Sequence, residues 1–268
     1  MTSFIKFILL LIFSVVIGLS CTTTSEERSG TSNVQTLKAG EPQIHVPLDN
    51  ENDLNEFVVG RQEHVSFFDD PGLERKVKKV EVPEENHYGM AMDYKFDEGQ
   101  EAVHIRWFQY LPEKWTTVRG NHMKFPGLAH TDRHGWGGRQ TDGTGGWSVR
   151  TGFRDHHASP DSITGEFYVY HMGMGRWGSI YPWEGTVNRG EWTAIENYVR
   201  VNTPGEADGV IKAWVNGDLV FEKSDLRFRA AGFEQYDISE ILWHIYHGGA
   251  SPSEVDQHLY MRDLEIWY

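Results

Sequence analysis

The feature that most constrains the fold of this chain is a series of short runs in which apolar and polar residues alternate, with turn-forming residues between them. Alternation with a period of two is typical of a half-buried β-strand, and long stretches with helical periodicity are scarce. The runs are VHIRWFQYL, GWSVRTGF, GEFYVYHM, EWTAIENYVRVN, GVIKAWVN, DLVFEK, ILWHIYHGG and HLYMRDLEIWY. Strands at this spacing predict an all-β fold, a β-sandwich of the jelly-roll type.

Two connections between these runs carry information of their own. Asn216-Gly217 separates KAWV from DLVF and predicts a tight hairpin, because both central residues of such a turn need positive φ. The glycine-rich segment from Gly135 to Gly146 is long for a connection. It is either a lid over a cleft or simply a loop between two strands.

The N-terminus predicts an exported protein. Residues 1–20 contain one charge, Lys6, and an apolar core that is too short to span a bilayer comfortably, as in a signal peptide. The single cysteine, Cys21, follows directly and resembles the acylated cysteine of bacterial lipoproteins, although Gly18 departs from the usual lipoprotein pattern. Ordinary signal cleavage with an incidental cysteine is the alternative. We expect an outer-membrane lipoprotein, facing the periplasm or the cell surface.

The remaining chain divides into a tether and one domain. Residues 21–42 are small and polar without periodicity, which favours a flexible tether. Residues 43–268 are then a single domain, stabilised by a hydrophobic core because one cysteine allows no internal disulfide. We expect this domain to be a monomer.

Charge excludes one class of partner and indicates another. The formal net charge is −14, which argues against nucleic acid. The middle of the chain is nevertheless locally basic, with eight Lys or Arg residues against three acids between positions 104 and 154. These cations are Arg106, Lys114, Arg119, Lys124, Arg133, Arg139, Arg150 and Arg154.

Three strand-like segments place polar residues where they can meet. Ser148 and Arg150 are two positions apart, as are Tyr168 and Tyr170, so each pair leaves the same face of its strand. Lys124 lies in the segment MKFPG. Together these side chains suit chemistry on an acidic sugar, because they can bind a carboxylate and pass a proton. Taken singly, each residue is as readily explained by packing or by a structural ion pair.

From about residue 104 onwards the chain resembles the family 14 polysaccharide lyases, which include alginate and glucuronate-polymer lyases. The landmarks are Lys124-Phe125-Pro126-Gly127-Leu128, Ser148-Val149-Arg150 with Arg154, Tyr168-Val169-Tyr170, Val201-Asn202-Thr203-Pro204-Gly205 with Gly209, Trp214-Val215-Asn216-Gly217, His247-Gly248-Gly249 and the closing DQHLYMRDLEIWY. One departure is Trp243-His244-Ile245-Tyr246-His247, where the family is usually rich in Phe and Thr.

The resemblance implies a jelly roll that cleaves a uronate polymer by β-elimination, with the catalytic residues Lys124, Ser148, Arg150, Tyr168 and Tyr170. In this hypothesis Arg150 and Lys124 hold the carboxylate, and Ser148 adds a hydroxyl donor. One tyrosine is the base, with a pKa lowered by the cations, and the other or the same one is the acid.

Three further residues are expected to contact the substrate: His122, Arg106 and Arg154. His122 is also a rival base, because it lies two residues before Lys124.

Two other functions remain open at this point. A non-catalytic carbohydrate-binding jelly roll would use Trp and Tyr platforms without a cluster of cations and phenols. A jelly-roll glycoside hydrolase would use paired carboxylates, and Glu51, Asp53 and Glu56 have the formal spacing. Asp53 is better explained as a helix cap. Close histidine pairs occur at 130 and 134, 156 and 157, and 244 and 247, but none has a convincing third ligand, so we predict no metal and no cofactor.

Overall fold

The computed structural model describes residues 40–70, 72–117, 123–155 and 162–268. The predicted signal peptide, Cys21 and nearly all of the tether lie outside the described residues, as does His122. In the described ranges no helix is long and apolar enough to cross a membrane.

Two antiparallel sheets contain the fifteen strands of the described residues. The eight-stranded sheet has the order β13-β12-β11-β6-β15-β4-β3, and β1 also pairs with β15. Its strands are β1 Ile44–Val46, β3 Val65–Asp70, β4 Arg75–Val82, β6 Ala102–Tyr110, β11 Trp192–Arg200, β12 Gly209–Val215, β13 Asp218–Leu226 and β15 Gln257–Trp267. The seven-stranded sheet has the order β10-β9-β8-β7-β14-β5-β2. Its strands are β2 Val58–Arg61, β5 Tyr88–Gln100, β7 Met123–His130, β8 Trp147–Asp155, β9 Ser162–Tyr170, β10 Ser179–Asn188 and β14 Ile238–His247.

The sheets pack face to face around one large apolar core, so the prediction of an all-β jelly-roll sandwich is confirmed. The ring centroids of Trp107 and Trp243, from opposite sheets, lie 6.0 Å apart in an edge-on contact. Within the seven-stranded sheet, Phe125 of β7 and Phe153 of β8 make a second edge-on contact in the core, at 4.6 Å. Because strand side chains alternate, the residues between these core positions face outward. Ser148 and Arg150 of β8 and Tyr168 and Tyr170 of β9 therefore lie on the outer face of the seven-stranded sheet.

The predicted hairpin is confirmed in detail. Asn216 and Gly217 have φ values of 52° and 89°, and they join β12 to β13 with Val215 opposite Asp218. Both central residues are thus left-handed, as a type I′ turn requires. The Asn216 side chain also accepts a hydrogen bond from the backbone N–H of Ala194 at 2.9 Å, which ties the turn to β11.

A short 3-10 helix spans Glu51–Glu56 and corrects one sequence expectation. Its N-cap is Asn50, not Asp53. Asp53 instead occupies the third helical position, where its carboxylate accepts hydrogen bonds from the backbone N–H groups of Asp49 and Asn50. The two residues form a reciprocal capping box, so Asp53 helps to start the helix without capping it directly.

Candidate active site

A cleft of about 810 Å³ opens on the outer face of the seven-stranded sheet. It contains all five residues predicted to be catalytic. Its lining is Tyr88, Asp93, Lys124, Thr131, Trp136, Gly137, Ser148, Arg150, Tyr168, Tyr170, Trp177, Gly178, Ile180, Leu242, His244, Tyr246 and Gly249.

Strands β8 and β9 form the centre of the cleft. Ser148 pairs with Tyr170 and Arg150 with Tyr168 in the antiparallel register. Directly opposed residues on one face are close neighbours, so the two pairs form a four-residue patch. The residues between them point the other way: Val149 and Val169 are buried in the core.

Strand β7 adds Lys124 through an irregularity at Pro126. The pairing of β7 with β8 shifts register between Lys124 and Gly127, which is where a proline is tolerated within a sheet. Gly127 then passes so close to β8 that a Cβ atom would lie 2.2 Å from the carbonyl oxygen of Val149. This explains the sequence KFPG: proline marks the bulge and glycine allows the close approach opposite Arg150.

Arg150 is a partly buried cation that makes no ion pair with any of the described residues. Its Nε and Nη2 atoms are buried and have no hydrogen-bond partner among the described residues. Burial lowers the pKa of Arg150 to about 10, while Asp93 and nearby phenols oppose this change. The guanidinium therefore stays charged at neutral pH, and Arg150 lines the cleft. A carboxylate is the anion whose geometry best matches the guanidinium fork.

Lys124 is a lysine that titrates near neutrality. Burial, followed by the charge of Arg150, lowers its pKa to about 7, although Glu166 acts in the opposite direction. Its Nζ lies 4.5 Å from the ring centroid of Tyr168 and 5.4 Å from that of Tyr246. Lys124 makes no ion pair with any residue in the described ranges. At neutral pH a large share of this amine is unprotonated and able to accept a proton.

The two predicted tyrosines are held by backbone donors. Gly178 N donates to the Tyr168 hydroxyl at 3.1 Å, and Gly138 N donates to the Tyr170 hydroxyl at 2.8 Å. The two hydroxyls lie 3.4 Å apart. Each phenol oxygen is thus an acceptor for a backbone N–H, and one of the two hydroxyls can donate to the other.

The expected lowering of the tyrosine pKa does not hold for Tyr168. Burial raises its pKa well above the ordinary value, and the hydrogen bond with Tyr170 adds to the effect. Arg150 lowers the pKa of Tyr168 only as a smaller opposing influence. The sequence argument considered the cations and omitted the desolvation of the phenolate, which is larger. Tyr168 therefore remains protonated at neutral pH.

Ser148 differs from its expected role as a donor to the substrate. Its Oγ donates a hydrogen bond to the backbone carbonyl of Gly135 at 2.7 Å, and the side chain is buried. The hydroxyl proton is thus already engaged. Ser148 fixes the start of the loop that carries Trp136 and Gly137 into the cleft lining.

The residues expected to bind substrate are separated by the fold. Arg154 follows Arg150 on β8 and forms an ion pair with Glu166 at 2.8 Å, next to the cluster but outside the cleft lining. Arg106 is on β6 of the eight-stranded sheet, where it pairs with Glu265. Placing Arg106 with the cluster was therefore wrong, because local charge density along a sequence does not show which sheet a strand joins. His122 lies outside the described residues.

Sequence reasoning missed a second group of cleft residues on β5 and β14. His244 Nε2 donates to Asp93 Oδ1 at 2.9 Å, and the rings of Tyr88 and Tyr246 lie 4.4 Å apart between centroids. Tyr246 is directly opposite Lys124 in the sheet register. The available signal was the i, i+2 spacing of His244 and Tyr246 within the segment that departs from the family pattern. His247 leaves the opposite face, as its odd spacing predicts.

The glycine-rich loop contributes directly to the cleft. Trp136 and Gly137 line it, and Gly138 donates to Tyr170. Trp177, from the loop after β9, lies over Gly138, where an added Cβ atom would come within 2.6 Å of its ring. The two loops thus meet at the cleft and position both phenols. The segment thus lines the cleft, and its role as a lid stays a prediction.

The histidine pairs at 130 and 134 and at 244 and 247 do not assemble into a metal centre, and His156 and His157 lie outside the described residues. No group of three His, Cys, Asp or Glu side chains in the part of the chain that the structure describes is arranged to hold an ion. The arrangement that is present places a cation, Arg150, an amine, Lys124, and two phenols in the same cleft.

Comparisons with known proteins identify the family. A family model described as "Polysaccharide lyase 14" matches residues 80–264. The alginate lyase Aly36B is 17% identical, with a TM-score of 0.69 over 85% of this chain and 98% of that one. Alginate lyase vAL-1 from Chlorella virus is 16% identical, with a TM-score of 0.68 over 85% and 99%.

A more distant structure has the same fold. The endo-β-1,4-glucuronan lyase from the fungus Trichoderma reesei is 13% identical, with a TM-score of 0.55 over 84% of this chain and 95% of that one. A comparison with curated protein sequences gives no significant match. Since the family match covers well over half of the sequence, including every strand of the central cluster, the chain belongs to polysaccharide lyase family 14 and is a polysaccharide lyase.

Proposed function

We propose that this lyase cleaves a uronate-containing polysaccharide by β-elimination in the cleft of the seven-stranded sheet. The observation that carries the proposal is Arg150, a cation in the cleft lining whose Nε and Nη2 atoms have no hydrogen-bond partner among the described residues, beside an amine with a pKa of about 7. Solved relatives of the same fold are named as alginate and glucuronan lyases, which supports a uronate as the sugar.

Arg150 binds and neutralises the carboxylate of the scissile uronate. Loss of the proton from C5 places negative charge on that carboxylate, so a fixed guanidinium stabilises the transition state more than the ground state. Ser148 acts indirectly, by holding the Gly135 carbonyl and with it the loop that donates to Tyr170.

Lys124, in its neutral form, removes the C5 proton. This assignment replaces the tyrosine base expected from the sequence, because burial lowers the pKa of Lys124 to about 7 and raises that of Tyr168. A base works best when its pKa is near the working pH. His122 stays a candidate base only as a sequence prediction.

A phenol protonates the leaving oxygen. The C5–H electron pair forms the C4=C5 double bond, the C4–O4 bond breaks, and O4 takes a proton from Tyr168 or Tyr170. The two hydroxyls are 3.4 Å apart, so either can donate to O4 and be re-protonated through the other. The Lys124 ammonium then releases its proton to solvent and the tyrosine pair takes one back from solvent, which restores the starting state.

The test is the appearance of the conjugated, ultraviolet-absorbing unsaturated uronate when the protein is incubated with alginate or glucuronan. We expect Lys124→Ala and Arg150→Ala to abolish the signal, and the double variant Tyr168→Phe/Tyr170→Phe to do the same. Lys76→Ala, an exposed lysine on the eight-stranded sheet, is the matched control and should retain activity. A protein that binds the polymer without forming the product would instead be a carbohydrate-binding module.

The hydrolase alternative has no support from the residues that suggested it. Glu51, Asp53 and Glu56 lie in the 3-10 helix and do not line the cleft. A hydrolase would release reducing ends without the conjugated product, so the same assay separates the two reactions.

We also propose that the lyase is a monomeric lipoprotein, exported by residues 1–20 and acylated at Cys21. The support is the sequence pattern alone. Metabolic labelling with a fatty acid should mark the native chain and not Cys21→Ser. The mass of the soluble domain in solution should equal that of one chain.

A further inference from the structure

One wall of the cleft has no part in the proposed reaction. Asp93 and Tyr88 on β5, with His244 and Tyr246 on β14, line the cleft beside the catalytic centre. Asp93 is close enough to Arg150 to influence its titration, but the two make no ion pair within 4 Å. This wall therefore borders the site where the scissile uronate binds.

The polar part of the wall is an oriented carboxylate. His244 Nε2 donates to Asp93 Oδ1 at 2.9 Å, and the two side chains are 18% and 28% exposed, so both still reach the cleft. Burial lowers the pKa of His244 below its ordinary value. At neutral pH the imidazole is uncharged and Asp93 keeps its negative charge.

The charges around Asp93 do not cancel. Lys95 Nζ lies 3.8 Å from Asp93 Oδ2, but the same amine forms a closer ion pair with the buried Glu240. One lysine thus serves two carboxylates, and Arg150 acts on Asp93 only from beyond ion-pair distance, so Asp93 presents a carboxylate with no counter-ion of its own to this side of the cleft. A second substrate carboxylate placed here would be repelled, whereas sugar hydroxyls can donate to Asp93.

The apolar part of the wall suits a sugar ring. The rings of Tyr88 and Tyr246 are tilted by 31° with centroids 4.4 Å apart, and Arg61 lies 4.9 Å from the Tyr88 centroid. Adjacent tyrosines combine an apolar face with hydroxyl groups that hydrogen-bond, which matches the two kinds of surface on a neutral sugar.

We propose that Asp93, oriented by His244, and the paired rings of Tyr88 and Tyr246 form a subsite for a neutral sugar next to the scissile uronate. The preferred substrate is then a polymer that alternates uronate with neutral sugar. This inference rests on the proposed function, since the subsite is defined by its position beside the uronate that is cleaved.

The experiment compares kcat/KM of the full chain on two polymers, hyaluronan as the alternating polymer and glucuronan as the uniformly charged one. The variants are Asp93→Asn, His244→Leu and His244→Gln. Asp69→Asn, an exposed acid on β3 of the eight-stranded sheet, makes the same charge change away from the cleft. Thermal unfolding of each variant verifies that it is folded.

We expect the wild type to prefer hyaluronan, and Asp93→Asn to shift the ratio of the two kcat/KM values toward glucuronan by about tenfold. His244→Leu should shift it in the same direction, and His244→Gln, which retains a donor to Asp93, should restore most of the preference. Asp69→Asn should leave the ratio unchanged.

The experiment separates failure of the neutral-sugar subsite from failure of the proposed lyase reaction. Cleavage of glucuronan but not hyaluronan by the wild type, or an equal effect of Asp93→Asn on both, overturns the neutral-sugar subsite and leaves the proposed lyase reaction standing. No unsaturated product from either polymer, or from alginate, overturns the proposed function itself.

Discussion

Replacing Lys124 by arginine separates its two possible roles. Arginine keeps the positive charge that attracts a carboxylate, but it stays protonated at any working pH and cannot accept the C5 proton. If Lys124 only neutralises the substrate, Lys124→Arg should retain much of the activity. If Lys124 is the base, the variant should be nearly inactive although the charge is conserved.

The size of the effect follows from the pKa of this amine. Burial and Arg150 lower it from 10.5 to about 7, so about half of the amine is neutral at pH 7. A lysine of ordinary pKa would be neutral in only about one molecule in 3,000, a difference of about 5 kcal/mol. We therefore expect Lys124→Arg to lose at least about 1,000-fold in kcat/KM.

The assay is the pH dependence of kcat/KM, which reports the free enzyme. Because the active form of Lys124 is the neutral one, kcat/KM should fall as the pH drops through about 7 and reach a plateau above it. Lys124→Arg activity above about a tenth of the wild-type value, or a wild-type profile that is flat from pH 5 to 8, would refute the base assignment.

Three further predictions concern single positions. Lys78 is fully buried without a hydrogen-bond partner among the described residues, and burial lowers its pKa to about 7. Between pH 7 and 10.5 the unfolded chain therefore binds more protons than the folded one, and below pH 7 the folded protein bears the full cost of a buried charged amine. Lys78→Met should raise the free energy of unfolding at pH 6 by up to about 5 kcal/mol, measured by urea denaturation. A loss of stability in this variant would contradict the prediction. Gly178→Ala would place a Cβ atom 2.9 Å from the Tyr168 ring, so we expect activity to fall by at least about tenfold, whereas Gly175→Ala, with nothing within 4 Å, should not change it. An equal effect of both alanines would count against the proposed position of the phenol. Gly217→Ala, at φ 89°, should cost about 1 kcal/mol in thermal unfolding with full activity retained, and a loss of activity would show that the hairpin matters to the cleft.

The sequence predicted the parts of this molecule that depend on neighbouring residues. The hairpin at Asn216-Gly217 followed from the positive φ that its turn requires. The shared faces of Ser148 with Arg150 and of Tyr168 with Tyr170 followed from the two-residue period of a strand. Both arguments need only local geometry, so they hold whichever strands are paired.

Sheet membership and burial were decided by the tertiary structure. Arg106 resembles Arg150 as a cation within an alternating run, yet β6 joins the eight-stranded sheet, and a long-range pairing with β11 and β15 determines this. Asp93 and His244 are far apart in sequence and meet because β5 pairs with β14.

The difference between what neighbouring residues determine and what tertiary packing determines also explains which residue is the base. Sequence shows that cations and phenols are neighbours, but a pKa depends on how much water each group loses, and that depends on packing from several strands at once. Desolvation lowers the pKa of Lys124 and raises that of Tyr168. The residue types at the cleft could therefore be predicted from the sequence, whereas the assignment of base and acid required the folded protein.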